Sequence, residues 1–149
     1  MKRSWFHVAR VLAVLAVLVA ARCVAAGPPA GAPPEGAAVG EAEILAAFEQ
    51  RESDRWVEAS GTVDRLLPDD NDGSRHQRFI LRLPSGHTVL ISHNIDLAPR
   101  LDGLDRGAAV AFRGEYEWNA QGGVVHWTHH DPSGALEGGW LEHGGRRYR

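Results

Sequence analysis

From Trp56 to His126 the chain alternates apolar and polar residues in short runs separated by turn formers. A period of two is the signature of half-buried β-strands and is incompatible with helices. Val57, Ala59, Gly61 and Val63 alternate with Glu58, Ser60, Thr62 and Asp64. Asp69-Asp70-Asn71-Asp72-Gly73 then turns the chain, since Asp and Asn side chains cap their own turns and Gly frees the backbone. His76 to Leu83 places Phe79, Leu81 and Leu83 on one face and His76, Arg78, Ile80 and Arg82 on the other. Pro84-Ser85-Gly86 turns again, and in His87 to about Asp96 the residues Val89, Ile91, His93 and Ile95 share one parity.

Leu97 to Arg106 is irregular. Val110, Phe112, Gly114, Tyr116 and Trp118 then alternate with Arg113, Glu115 and Glu117, Asn119 to Gly123 forms a hairpin loop, and Val124 to His130 reads as the last strand. Gly114 is expected at a bend or bulge where a side chain does not fit. A three-strand meander, a short crossover and a two-strand hairpin predict a mainly β chain. Within about 80 residues this order suits a small five-stranded, oligonucleotide/oligosaccharide-binding (OB)-like Greek-key barrel. A β-sandwich or open roll would carry the same pattern.

The N-terminal segment follows different rules. Lys2, Arg3 and Arg10 precede the apolar run Val11–Ala21, and Val24-Ala25-Ala26 is a small-residue cleavage site before Gly27. This predicts a signal peptide over 1–26 and an exported protein, periplasmic or secreted. The alternative is an uncleaved N-terminal membrane anchor. Residues 27–40 read as a flexible Gly/Pro/Ala linker. Residues 41–149 read as one domain whose first element, to about Ser53, is a short amphipathic helix with Ile44, Leu45 and Phe48 on one side.

Cleavage would remove the single cysteine, Cys23, so the domain would rely on its apolar core rather than on disulfides. Of 16 Lys+Arg, four lie in the leader, which leaves 12 against 19 acidic residues and a net charge of −7. That balance argues against general nucleic-acid binding, which depends on cations that neutralise phosphates.

His126, His129 and His130 surround Trp127 and Thr128, and imidazole serves both metal binding and proton transfer near neutral pH. On a regular strand His126, Thr128 and His130 share one face, and Val125, Trp127 and His129 the other. His126 and His129 can meet only if the strand ends at Trp127 and turns. Because Zn²⁺ needs three or four ligands, a metal site would draw on His93, Asp96, His126 and His129, with Zn²⁺ or Ca²⁺ as the ion. Asp69–Gly73 does not fit an EF-hand, since Pro68 and Phe79 stand where acidic ligands are required. His93 shares the core parity of Val89 and Ile91, which favours a buried, hydrogen-bonded imidazole.

Leu67 to Phe79, His93 to Arg100, Gly114 to Trp118 and His126-Trp-Thr-His129, in that order, resemble a bacterial family of unknown function, DUF3465, whose hallmark is the HWTH motif. The resemblance implies a small bacterial protein with no assigned activity. It also implies a further His shortly before Gly138-Gly139-Trp140, where this chain has Leu136. Separately, Ile95-Asp96-Leu97-Ala98-Pro99 is similar to a phrase of staphylococcal-nuclease-like barrels in which the Asp binds Ca²⁺, although Arg100 replaces the acid that should follow.

Three functional readings follow. In the first, the chain is a non-enzymatic module whose His76, Arg78, Arg82, Asp96, His126 and His129 bind a small anionic or carbohydrate ligand. In the second, it is a metal-dependent hydrolase, phosphodiesterase- or nuclease-like, built on His93, Asp96, His126 and His129. In the third, the His-rich motif only specifies the fold. No nucleophile elbow, P-loop, dinucleotide fingerprint or His-Glu-x-x-His motif is present.

Overall fold

The computed structural model describes residues 35–149, and side chains from Val39 onward. The expected leader and residues 27–34 of the linker lie outside the described residues. Helix α1 (Glu35–Gln50) is followed by β1 (Arg55–Leu66), β2 (His76–Arg82), β3 (Thr88–Asn94), β4 (Ala109–Glu117), β5 (Val124–His126), β6 (Trp140–His143) and β7 (Arg146–Tyr148). No described helix is long and apolar enough to cross a membrane.

The first five strands close into a barrel in the order β1-β2-β3-β5-β4, and β4 returns to β1. All neighbours are antiparallel except β3 and β5. Closure depends on the length of β1. Its first part, Arg55–Thr62, pairs with β4, its last part, Thr62–Leu66, pairs with β2, and the register shifts between Val63 and Arg65. A bulge at that point bends the strand and increases its twist, so one strand can serve both edges. The expected alternation is observed: Val57, Ala59, Val63, Phe79, Leu81, Val89, Ile91, Phe112, Tyr116 and Val125 are buried inside.

Two connections close the ends. Gln77, buried on the inward face of β2, donates to the Leu101 carbonyl at 3.1 Å and accepts from the Leu101 N–H at 2.9 Å. One side-chain amide thus satisfies both backbone groups of Leu101 and seats Leu101 and Leu104 in the core. At the other end of the β2–β3 hairpin, Glu41 of α1 accepts from the Ser85 N–H, and Phe48 packs on the His87 ring. Arg51, at φ 57°, and Glu52 close the helix with N–H bonds to Phe48 and Ala47 carbonyls, and the Trp118 indole N–H caps the Phe48 carbonyl at 3.1 Å. These bonds satisfy acceptors that a helix end otherwise leaves open.

Three features differ from the sequence expectation. The helix begins at Glu35 and so takes in Glu35–Gly40, which composition assigns to the linker. Gly40 is a contact residue there: a Cβ would overlap the Glu58 carbonyl, so only Gly lets α1 sit this close to β1. The last barrel strand ends at His126, not His130. A further hairpin, β6–β7, adds to β4. Gly144-Gly145, both at positive φ, makes its turn, and that Gly-Gly pair between two short runs is a readable hairpin signal.

Replacing an exposed helical Gly by Ala normally stabilises a protein by about 1 kcal/mol. Gly40→Ala is expected to do the reverse here, lowering stability by about 1–3 kcal/mol through overpacking against β1. Urea unfolding measures this, and an unchanged or raised midpoint would contradict the seating of α1 on β1.

Candidate functional site

The HWTH segment leaves the barrel where β4 changes partners. β5 pairs with Glu115–Glu117, β6 pairs with Ala111–Arg113, and Gly114 lies between. A Cβ on Gly114 would overlap the His126 carbonyl and lie 2.9 Å from the Thr128 methyl. A Cβ on Gly139 would overlap the Trp127 carbonyl, and the Gly139 N–H donates to the His129 carbonyl at 2.8 Å. The segment therefore lies between two glycines that let its backbone approach closely. Trp127 takes φ 52°, a left-handed conformation rare for a bulky residue. This turn removes the strand parity, and His126 and His129 now line one cavity.

Inside the turn, Thr128 and His93 are fully buried and His129 is 5% exposed. His93 lies 2.8 Å from the Thr128 hydroxyl through Nδ1 and 3.0 Å from the Pro99 carbonyl through Nε2. A carbonyl only accepts, so Nε2 carries the proton and donates to Pro99, while Nδ1 of the neutral ring accepts from Thr128. The bond ties β3, the β3–β4 connection and the HWTH turn together.

A family model described as "Protein of unknown function (DUF3465)" matches residues 35–149. The chain belongs to the DUF3465 family. No curated protein matches it. The matched span starts with α1 and includes every strand, so the DUF3465 domain here is the helix-capped barrel with its added hairpin.

The cavity beside the HWTH turn of this DUF3465 domain, about 240 Å³, is lined by Ser74, His76, Ser92, Asn94, Leu97, His126, Trp127 and His129. His76 Nδ1 lies 2.8 Å from the Ser74 carbonyl, and His129 Nδ1 lies 2.7 Å from the His130 carbonyl. Both carbonyls must accept, so in the neutral rings both Nε2 atoms keep their lone pairs. Trp127 is 36% exposed and stacks on His129 at 5.3 Å between ring centroids.

The other residues singled out in the sequence have internal partners. Arg82 pairs with Asp64 at 2.7 Å and Arg78 with Asp70 at 3.6 Å, and Arg78 also donates to the Pro68 carbonyl. Arg75 donates to Asp96 from its backbone and its guanidinium, which together hold the Asp96 carboxyl below its usual range. Arg100 pairs with Asp69. Arg78 and Arg82, expected to face a ligand, are thus met by Asp70 of the β1–β2 loop and by Asp64 of β1. Asp131 accepts from Ser133 and Leu136, bonds that fix its loop and hold its pKa down at about 2.

Of His93, Asp96, His126 and His129, both nitrogens of His93 are occupied and Asp96 serves Arg75. Among the described residues, the side chains that do bring ligand atoms together are Glu115, Glu117 and His126, all within 4.8 Å of one another. Nothing in the sequence alone marks the two glutamates. Their i, i+2 spacing puts them on one outer face, but their meeting with His126 depends on the β4–β5 register.

Burial drives the His93 pKa from 6.5 down to about 4, only partly opposed by its hydrogen bonds to Pro99 and Thr128. Below pH 6.5 the unfolded chain therefore takes up a proton that the fold refuses until about pH 4. The stabilisation is fully present above pH 6.5 and is lost as pH falls, by about 3 kcal/mol at pH 4. His93→Gln is expected to flatten the stability profile between these pH values, as read by urea unfolding at each pH. A profile as steep as that of wild type would contradict the buried neutral ring. Thr128→Val leaves His93 Nδ1 without a donor and is expected to cost about 1–3 kcal/mol at pH 7.

Proposed function

We propose that this DUF3465 domain is an exported, non-enzymatic binding module that takes one small, neutral, hydroxyl-rich ligand, such as a single sugar residue, in the cavity beside Trp127. The observation that carries this reading is the state of its imidazoles. His76 and His129 have Nδ1 tied to main-chain carbonyls, which leaves Nε2 of each neutral ring to accept a hydroxyl proton. Ser74, Ser92 and Asn94 add side chains that both donate and accept. Trp127 offers an exposed aromatic ring on which the apolar face of a sugar can lie.

Size and charge narrow the class. The cavity, at about 240 Å³, is smaller than the roughly 300–1,000 Å³ of drug-sized pockets, which supports one ring rather than an oligomer. An anionic ligand is less well served. Arg75, Arg78 and Arg82 are paired with Asp96, Asp70 and Asp64, and Glu115 and Glu117 lie beside His126. The leader-like segment supports export, and it would present the module outside the cytoplasm.

Nuclear magnetic resonance titration with a set of neutral monosaccharides, and with inorganic phosphate in parallel, tests the reading. A neutral sugar is expected to shift the signals of Trp127, His76 and His129, and Trp127→Ala should weaken that binding at least about tenfold, a change of about 1.4 kcal/mol. Phosphate acting on these signals while no sugar does would contradict the proposed ligand class. Shifts elsewhere that leave Trp127 unmoved would contradict the site.

A further inference from the structure

We propose that Glu115, Glu117 and His126 form a binding site for one divalent transition-metal ion on the outer face of β4 and β5. The inference does not depend on the sugar reading. Glu115 and His126 are direct cross-strand partners, and Glu117 shares their face one step along β4. His126 Nε2 lies 3.9 Å from the Glu115 carboxylate and 3.8 Å from that of Glu117. These separations exceed a hydrogen bond. They fit within the roughly 4.2 Å that two donors can span when each is about 2.1 Å from one ion.

The second observation is the state of the nitrogen itself. His126 Nε2 is shut off from solvent and has no hydrogen-bond partner. A buried, unsatisfied nitrogen is costly, and it faces two carboxylates that no described arginine pairs with. By contrast, Asp64, Asp69, Asp70 and Asp96 each have an arginine. A dication between the three groups would satisfy the nitrogen and both carboxylates.

The donor set selects the ion. One imidazole with two carboxylates suits Zn²⁺ and its first-row neighbours. Ca²⁺ prefers six to eight oxygens, and Mg²⁺ keeps its water. Three protein ligands also leave a coordination position open, as in sites where the metal meets an exogenous group. The His126 side chain also lines the cavity.

Calorimetric titration of the metal-stripped chain with Zn²⁺ alone, without sugar, tests the proposal. One ion per chain is expected with a dissociation constant near or below about 10 μM, and a raised thermal midpoint. His126→Gln and Glu117→Gln should each weaken it by about 10–100-fold, while His143→Gln, at a histidine outside the cluster, should bind as wild type does. Glu117→Gln preserves shape, and an unchanged metal-free thermal midpoint would show that its fold is intact. Absence of Zn²⁺ binding at millimolar concentration, or unchanged binding by His126→Gln and Glu117→Gln, would overturn the site. Mg²⁺ competing equally with Zn²⁺ would overturn the role of the imidazole.

Discussion

The hydrogen bond from the Thr128 hydroxyl to Nδ1 of His93 fixes the geometry on which the rest of the site depends. It is completely buried and joins β3 to the segment that follows β5. The other ring nitrogen holds Pro99, so one imidazole fastens the HWTH turn and the β3–β4 connection at the same end of the barrel. A neutral–neutral hydrogen bond is worth only about 1 kcal/mol net, but leaving a buried partner unmade costs more. The fold therefore favours the one arrangement in which all three groups are satisfied, and Trp127 is carried into its left-handed conformation as part of it.

That division of labour separates the motif into two halves. Thr128 faces inward and serves the fold. His126, Trp127 and His129 border the cavity. The structural and ligand-binding readings of the motif thus apply to different residues of the same turn. Strain at Trp127 is offset by packing against Gly114 and Gly139, where any side chain would collide with the turn.

The barrel was legible because each of its strands buries one face, and burial of one face imposes a period of two. Phe79, Val89, Ile91, Phe112, Tyr116 and Val125 are all inside as their parity requires, and so is His93, whose parity marked it as a core imidazole. The end of β5 was not legible. Valine, tryptophan and threonine all suit strands, and nothing local to them forbids continuation to His130. The strand stops because residues distant in the chain, Gly114 and Gly139, make room for the backbone to turn and β6 takes over the edge of β4. Likewise Arg78 and Arg82 share one face by parity, but their pairing with Asp70 and Asp64 is set by the β1–β2 loop and the β1–β2 register. The Glu115–Glu117–His126 group needed register, which period alone does not supply.

His93 is a buried, neutral imidazole whose proton sits on Nε2. Long-range ¹H–¹⁵N correlation of the histidine rings as a function of pH reads tautomer and protonation directly. His93 is expected to show the Nε2–H tautomer at neutral pH and to stay unprotonated until the pH approaches about 4. A His93 ring that titrates near 6.5, or that carries its proton on Nδ1, would contradict it.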